Sequence, residues 1–241
     1  MMFSLMKVAM SYYDNLNETL FSLLDTNAQR VCEFGCGGGA MAKAIRAVNP
    51  AVYYVGLELM AEPLDRARQF LDVALCRDLN LVGDWSSDAE LASALPHLSF
   101  DHVIFGDVLE HLLDPEAVVR QAADRLVPGG TLLACIPNVQ HWSVFVQLIQ
   151  GRWPREDSGL FDRTHVRWFT LNDMIDLMSQ AGLTVEQVTA RTFESTDSIG
   201  PDVVDYLEPL AHYLGVDQDQ LAQRALPLQY VLQARKPLHV S

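Results

Sequence analysis

The chain has 241 residues, of which 49% are hydrophobic and 20% charged, the balance of a globular protein with a substantial core. It carries 17 Lys and Arg against 31 Asp and Glu, a formal charge of −14. This charge argues against a nucleic-acid substrate and against docking on anionic lipid, because both rely on basic side chains. No run of roughly 20 apolar residues suggests membrane insertion. Residues 1–10 are a poor signal peptide, since they lead straight into a polar segment, so we expect a cytoplasmic protein.

The four cysteines form no Cys-x-x-Cys pair, which argues against a zinc site or a dithiol redox site. They are Cys32, Cys36, Cys76 and Cys135. We expect buried, reduced thiols and no bound metal ion.

Strand-like and helix-like segments alternate from residue 29 to about residue 136, which predicts a parallel sheet with helices on both faces. The predicted strands are residues 29–34, 51–57, 74–82, 100–105 and 130–136. The predicted helices between them are residues 40–48, 62–71, 87–94 and 115–126. Asp114-Pro115 is typical of a helix start, with Asp as the cap and Pro in the first turn.

The second half of the chain is less regular. Residues 139–150 and 174–181 predict helices, and residues 183–193 and 228–236 predict two strands that pair antiparallel. We interpret the chain as a single domain with three parts: an N-terminal helical lid (1–28), a cofactor-binding core (29–136) and a substrate-facing half (137–241) with an insertion at 194–227.

The most informative segment runs from Val31 to Gly39, where a short apolar strand leads into a turn with four glycines in five positions. Nucleotide-like cofactors bind at such a turn in open α/β sheets, because a backbone without Cβ atoms can approach the ligand closely. Glu33 precedes the first glycine by two residues. Its carboxylate would repel a pyrophosphate and attract a cationic or amine-bearing ligand.

Three further predicted strands end in acidic residues, at the carboxyl edge where ligands of such sheets bind. Glu58 follows the second strand and can accept both hydroxyls of a ribose. Asp84 follows the third strand and can accept an adenine amine, while Trp85 can stack on the ring. The fourth strand ends in the polar run 107–111.

NAD is the rival cofactor. Gly35, Gly37 and Ala40 satisfy the relaxed dinucleotide fingerprint, and Glu58 suits its acidic partner. Against NAD, Glu33 lies close to where a pyrophosphate would bind, and the polar run after the fourth strand has no evident role in hydride transfer.

Together these segments resemble the class I S-adenosylmethionine-dependent methyltransferases over residues 29–136. The matching segments are Glu33–Gly39, Val55–Glu58, Gly83-Asp84, Phe100–Leu112 and Leu126–Leu133. The resemblance implies an α/β fold: a Rossmann-like, seven-stranded, mostly parallel sheet whose last strand is antiparallel, with helices on both faces. It also implies S-adenosylmethionine as cofactor and S-adenosylhomocysteine as product.

By this resemblance, the glycines would face the methionine part of the cofactor, with Glu33 near its amino group and Asp107 near the same end. Glu58 would bind the ribose, and Asp84 with the Trp85 backbone would hold the adenine. The full set of expected cofactor contacts is Tyr13, Glu33, Gly35, Gly37, Gly39, Glu58, Leu59, Asp84, Trp85 and Asp107. Tyr13 belongs to the lid, for which an amphipathic helix packed on the sheet is an equal alternative.

A narrower resemblance covers Ile136–Val139, Gly151–Trp153 and Gly159–Thr170, which look like methyltransferase modules associated with polysaccharide and sugar-modifying systems. It implies a small-molecule or sugar acceptor; a homodimer is compatible with it. Residues 194–227 match nothing known to us.

Methyl transfer from a sulfonium is an in-line displacement, in which the enzyme aligns the nucleophile and, for a hydroxyl, removes a proton. The candidate catalytic bases are His111, His141 and His165, each also open to a structural role. The candidate substrate-binding residues are Asp162, Arg167 and Trp168, for which a solvated loop is the alternative. Glu110 is interpreted as a helix-start carboxylate.

We therefore predict methyl transfer to oxygen. The alternative is an N-methyltransferase, whose neutral amine acceptor needs less base catalysis. Two alternatives of other classes are an NAD-dependent oxidoreductase and a cofactor-binding protein without catalysis.

Overall fold

The computed structural model describes residues 15–81, 83–94, 99–193 and 200–238. Seven strands form one sheet: β1 (Arg30–Phe34), β2 (Tyr53–Glu58), β3 (Val73–Cys76), β4 (Phe100–Gly106), β5 (Leu126–Pro137), β6 (Thr184–Arg191) and β7 (Gln229–Arg235). Their order is β3-β2-β1-β4-β5-β7-β6. Strands β1 to β5 pair parallel, whereas β7 pairs antiparallel with both β5 and β6. The predicted Rossmann-like sheet and its antiparallel last strand are confirmed.

Helices cover both faces of this sheet. They are α1 (Glu18–Ser22), α2 (Ala40–Val48), α3 (Ala61–Ala67), α4 (Ala89–Ala94), α5 (Pro115–Asp124), α6 (Trp142–Ile149), α7 (Leu171–Gln180), α8 (Gly200–Tyr213) and α9 (Gln218–Ala225). Successive strand residues point to opposite faces, so Val31 joins a core cluster with α1 and α2, while Cys32 joins the cluster of α4, α5 and α7. Among the described residues, no helix has the length and apolar character needed to cross a bilayer.

Capping geometry confirms the predicted helix start at Asp114-Pro115 and shows a second cap at Thr170. The Asp114 side chain accepts the Ala117 N–H at 2.9 Å, with Pro115 in the first turn of α5. Thr170 and Asp173 form a reciprocal capping box at the start of α7, which satisfies amide groups that a helix end otherwise leaves unpaired.

The third strand differs from its prediction, because it ends at Cys76 rather than at residue 82. Two polar residues turn the chain away from the sheet. Arg77 pairs with Asp88 and Glu90 outside the sheet, and the Asp78 carboxylate accepts the Asn80 N–H at 2.9 Å, which closes a local turn. Asp84 consequently does not follow directly on a strand.

The predicted insertion contains α8 and α9, which contact each other and return the chain to β7. Asn138, fully buried after β5, fixes the end of this segment. Its amide nitrogen donates to the carbonyls of Arg224, at 2.7 Å, and Pro227, at 2.8 Å. Residues 1–14, including Tyr13 and half of the expected lid, lie outside the described residues.

Candidate functional site

The glycine turn joins β1 to α2 and adopts backbone conformations that favour glycine. Gly35, Gly37 and Gly39 have φ values of 73°, 52° and 83°. A Cβ atom on Gly35 would lie 2.4 Å from Cγ2 of Val108, just after β4. The turn therefore runs tightly against the end of the neighbouring strand, which places residues 107–111 beside it.

Glu58 binds the glycine turn from the end of β2. Its buried carboxylate accepts the Gly37 N–H at 2.9 Å and the Met60 N–H at 3.0 Å, one on each oxygen. Each carboxylate oxygen has a second lone pair, so both can accept a further hydrogen bond. Leu59, the next residue, is 58% exposed and borders this position.

Glu33 lies beneath the turn, buried in β1. The Tyr54 hydroxyl donates to its carboxylate at 2.7 Å. Burial raises the pKa of Glu33 to about 7; the Tyr54 hydrogen bond opposes this rise and the charge of Glu58 adds to it. A positive charge at this carboxylate would offset the cost of its burial.

Asp107 ends β4 with a φ of 55°, in the left-handed region that a non-glycine residue rarely adopts. The Gln229 amide donates to its carboxylate, and Arg191 donates to the Gln229 side-chain oxygen at 2.6 Å. Burial raises the pKa of Asp107, while the Arg191 charge acts to lower it. Such a backbone outlier at a strand end is a feature of functional sites.

The structure places Asp84 and Trp85 differently from their predicted surroundings. The Asp84 carboxylate is exposed and accepts the Ser86 N–H at 2.9 Å and hydroxyl at 2.7 Å. The Trp85 ring is only 1% exposed and packs on Phe34 in the core, with ring centroids 5.0 Å apart. The prediction that this ring stacks on an adenine is wrong for this conformation, because a stacking ring needs an open face.

The carboxylate that directly follows β3 belongs to Asp78, which the sequence analysis missed. The sequence feature that indicates this strand end is the charged pair Arg77-Asp78, which interrupts the apolar residues of the predicted strand 74–82.

A cluster of titratable side chains follows β4, in the 3₁₀ turn Leu109–His111. Glu110 is 2% exposed, and neither carboxylate oxygen has a hydrogen-bond partner among the described residues. His165 Nε2 lies 3.9 Å from Glu110 Oε1. The rings of His111 and His165 meet edge to face with centroids 4.8 Å apart. Glu110 thus lies in the first turn of a short helix, as interpreted from the sequence, but its carboxylate is buried.

Burial sets the protonation of this cluster. It raises the pKa of Glu110 well above its usual range, and the charge of Asp107 adds to the rise. Burial also lowers the pKa of His165, as does the charge of His111. The ligand atoms of Glu110, His111 and His165 lie within 4.8 Å of one another. Two ligands of a tetrahedral metal ion are about 3.3 Å apart, so the cluster would have to contract to hold one.

His141 is a helix cap in this structure. Its Nδ1 lies 2.8 Å from the Ser143 hydroxyl and 3.4 Å from the Ser143 amide nitrogen at the start of α6. Burial lowers the pKa of its imidazole to about 4. Its hydrogen bonds stay within its own turn.

The loop 151–168 closes over the cluster after β4. The Glu110 carbonyl accepts the N–H groups of Val166, at 2.9 Å, and Arg167, at 3.0 Å. Asp162 folds the loop by accepting the Thr164 N–H at 2.8 Å. The Arg167 guanidinium donates to the Leu113 carbonyl, so it has a protein partner.

A recess between this loop and α6 has mainly aromatic and aliphatic walls. It is lined by Pro137, Val139, Val144, Trp153, Leu160, Phe161, His165, Arg167 and Trp168. Trp153 contacts Phe161 and Trp168 edge to face, with ring centroids 5.3 and 5.4 Å away. Of the substrate-binding candidates, Arg167 and Trp168 line the recess, whereas Asp162 shapes the loop behind it.

The strand order, the glycine turn after β1 and the buried carboxylate after β2 define the class: an S-adenosylmethionine-dependent methyltransferase with the class I fold. Residues 7–188 match the family model described as a methyltransferase domain. The chain belongs to this methyltransferase family.

Relatives and solved structures agree with this assignment. The ubiquinone biosynthesis O-methyltransferase of Neisseria meningitidis serogroup C is 35% identical over 169 residues, covering 70% of this chain and 69% of the relative. The enzyme of the same name from Thiobacillus denitrificans is 27% identical over 183 residues, covering 74% and 76%. A SAM-dependent methyltransferase structure from Archaeoglobus fulgidus has a TM-score of 0.58 at 15% identity, covering 93% of this chain and 96% of that one. At that identity the structure supports the fold alone.

Proposed function

We propose that this methyltransferase transfers its methyl group to a hydroxyl oxygen of a small acceptor bound in the recess beside His165. The observation that carries the proposal is the cluster after β4. There, a buried, unpartnered carboxylate and an imidazole with a lowered pKa face each other next to the glycine turn. Oxygen acceptors must lose a proton during transfer, and such a cluster can receive it. The relative from Neisseria meningitidis is named as an O-methyltransferase, which supports oxygen over nitrogen.

The donor site fits S-adenosylmethionine. Glu33 offers a buried carboxylate for the methionine ammonium, and Glu58 keeps a free lone pair on each oxygen for the ribose hydroxyls. Gly35, Gly37 and Gly39 have positive φ values, so they allow a tight turn whose backbone can approach the methionine part closely. When bound, the donor supplies an activated methyl group on a sulfonium.

The protein's own residues then align the acceptor and handle its proton. Trp153, Phe161 and Trp168 pack edge to face on one another and leave a cavity of only about 10 Å³. These rings must separate before a planar or sugar ring can bind against them. The Arg167 guanidinium donates one N–H to the Leu113 carbonyl and has four further N–H donors. Since Arg167 lines the recess, it can also bind an anionic group on the acceptor.

Two measurements test this function. Titration calorimetry should show binding of S-adenosylmethionine and none of NAD; the reverse result would contradict the donor assignment. Isotopically labelled donor should then pass its methyl group to catechol or methyl glucoside but not to benzylamine. Transfer to the amine alone would show an N-methyltransferase. Donor binding without transfer to any acceptor, in the same screen repeated with cell extract, would indicate a non-catalytic protein.

A further inference from the structure

Glu110 is a buried carboxyl group without a hydrogen-bond partner. It is 2% exposed, and both oxygens lack a partner among the residues that the structure describes. Its backbone carbonyl, by contrast, accepts two N–H groups of the loop 151–168. Leaving a buried acceptor unpaired destabilises the fold, so the position of this carboxyl group calls for a role other than stability.

The functional group that faces the Glu110 carboxyl group is the imidazole of His165. A hydrogen bond to the Leu160 carbonyl fixes the orientation of this ring. His165 Nδ1 lies 3.3 Å from the Leu160 carbonyl. A carbonyl can only accept a hydrogen bond, so Nδ1 carries the hydrogen in the neutral ring and the lone pair lies on Nε2. Nε2 is the atom that faces Glu110 Oε1, at 3.9 Å. That distance is too long for a hydrogen bond, which leaves the lone pair able to accept a proton.

The same imidazole lines the aromatic recess with Trp153, Phe161 and Trp168. The ring therefore lies between the recess and the buried carboxyl group, and the acceptor hydroxyl has to approach Nε2 beside Glu110. His141 has no comparable arrangement, since its Nδ1 is engaged with Ser143.

We propose that His165 is the general base of the transfer and that Glu110 is a positioning residue that stabilises the imidazolium as it forms. This inference rests on the proposed function. The hydroxyl proton passes to His165 Nε2, and the oxygen electron pair forms the new bond to the methyl carbon. The bond from that carbon to sulfur breaks and its electron pair stays on sulfur. The imidazolium afterwards releases its proton to solvent.

Four charged groups act on this pair. His111 and Asp107 belong to the segment that carries Glu110, and Asp162 lies on the loop that carries His165. Arg167, from the same loop, lines the recess. The active form of the pair has a neutral His165 and an ionised Glu110, so activity falls at low pH as the pair takes up its first proton. Since the two groups lie 3.9 Å apart, the midpoint of that fall belongs to the pair rather than to either residue.

The direct test is an NMR titration of the His165 imidazole in protein without donor, comparing wild type with Glu110→Gln. The proposal requires that Glu110 is ionised while His165 titrates, in which case removing the carboxylate lowers the His165 pKa, since an opposite charge within reach favours the imidazolium. Glu116→Gln, an exposed acid-to-amide change on α5, should leave the titration unchanged. An unchanged His165 titration in Glu110→Gln would overturn the pairing.

The kinetic test uses the acceptor found by the labelled-methyl screen. His165→Asn should lower kcat by about 10²–10⁴-fold with donor affinity unchanged, whereas His212→Asn, an exposed histidine on α8, should keep full activity. Glu110→Gln should lower kcat and move the low-pH limb to lower pH. Full activity in His165→Asn would overturn the proposal. Loss of wild-type activity on addition of a chelator would also overturn it, because that result would assign the cluster to a metal ion. If wild type methylates nothing, the proposed function fails, while the NMR titration still decides the pairing.

Discussion

At the scale of single residues, Glu33 has the environment of a ligand-binding carboxylate rather than of a structural ion pair. It is 6% exposed and its hydrogen-bond partner is a neutral Tyr54 hydroxyl. Its pKa, raised to about 7, places it near half ionisation at neutral pH. A cationic ligand would hold it in the ionised form.

The first prediction concerns the pH dependence of donor binding. Since the methionine ammonium needs the ionised carboxylate, S-adenosylmethionine should bind more tightly as the pH rises through about 7. Glu33→Gln should weaken binding by about 1–3 kcal/mol at pH 8 and remove the pH dependence. Calorimetry at three pH values measures both effects, with Glu116→Gln as the matched control. Equal affinities in folded wild type and Glu33→Gln would exclude this role.

Trp85 leads to a second prediction at this scale. Trp85→Ala should lower the free energy of unfolding by about 3–5 kcal/mol, because a buried ring leaves a cavity. Trp85→Phe should fold well, since the indole Nε1 has no hydrogen-bond partner among the described residues. Its donor affinity should match wild type in calorimetry. A large loss of affinity in Trp85→Phe would show that the ring reaches the adenine after all.

At the scale of elements, Gly35 of the glycine turn can be compared with Gly215, which follows α8 and has the same backbone φ angle. Both glycines have a φ of 73°. A Cβ atom added to Gly35 would lie 2.4 Å from Cγ2 of Val108, whereas a Cβ atom added to Gly215 would meet no atom within 4 Å. Replacing either glycine by alanine carries the same backbone strain, of order 1 kcal/mol. The steric clash is added only at Gly35.

The third prediction follows from that comparison. Gly35→Ala should reduce both stability and donor affinity, the latter by about tenfold, since a shift of the turn moves the backbone that approaches the ligand. Gly215→Ala should lose stability only. Adding Val108→Ala to Gly35→Ala should restore part of the affinity, because it removes the clash. Denaturation and calorimetry on the four proteins measure this; no recovery in the double variant would place the effect in the backbone angle alone.

The elements also show where the sequence is informative and where it is not. The positions of β1, β2 and β4 follow from local apolar runs, so their carboxyl ends were predicted with Glu33, Glu58 and Asp107 in place. The end of β3 was missed, because a run of apolar residues does not reveal that Asp78 closes a turn inside it. The burial of Glu110 depends on a loop more than forty residues later, which no local pattern encodes.

At the scale of the whole molecule, buried acids with raised pKa values make stability depend on pH. Glu33 keeps its proton in the folded state up to about pH 7, whereas in the unfolded chain it loses it near 4.5. The folded state binds more protons in that window, so stability falls as the pH rises through it. Three histidines have lowered pKa values and make stability rise with pH instead: His102, His141 and His165. This rise is confined to pH values below about 6.5, because above it the histidines of the unfolded chain are neutral as well.

The fourth prediction is that the free energy of unfolding falls by about 1 kcal/mol between pH 6.5 and pH 8, where the histidines no longer compensate. Urea denaturation at intervals across this range measures the slope. Glu33→Gln should reduce the slope, because the amide does not titrate, although Glu110 and Asp107 still contribute to it. Glu116→Gln should leave the slope unchanged. A stability that rises with pH in wild type would contradict the raised pKa of Glu33.

The buried amide of Asn138 has a consequence for how an acceptor reaches the recess. Two of its hydrogen bonds fasten the end of the α8–α9 segment to the sheet, so that segment cannot swing open as a hinged door without breaking them. Trp153 and Trp168 of the loop 151–168 are, by contrast, 42% and 46% exposed. We therefore expect an acceptor to enter past these two indole rings, because that path breaks neither of the Asn138 hydrogen bonds.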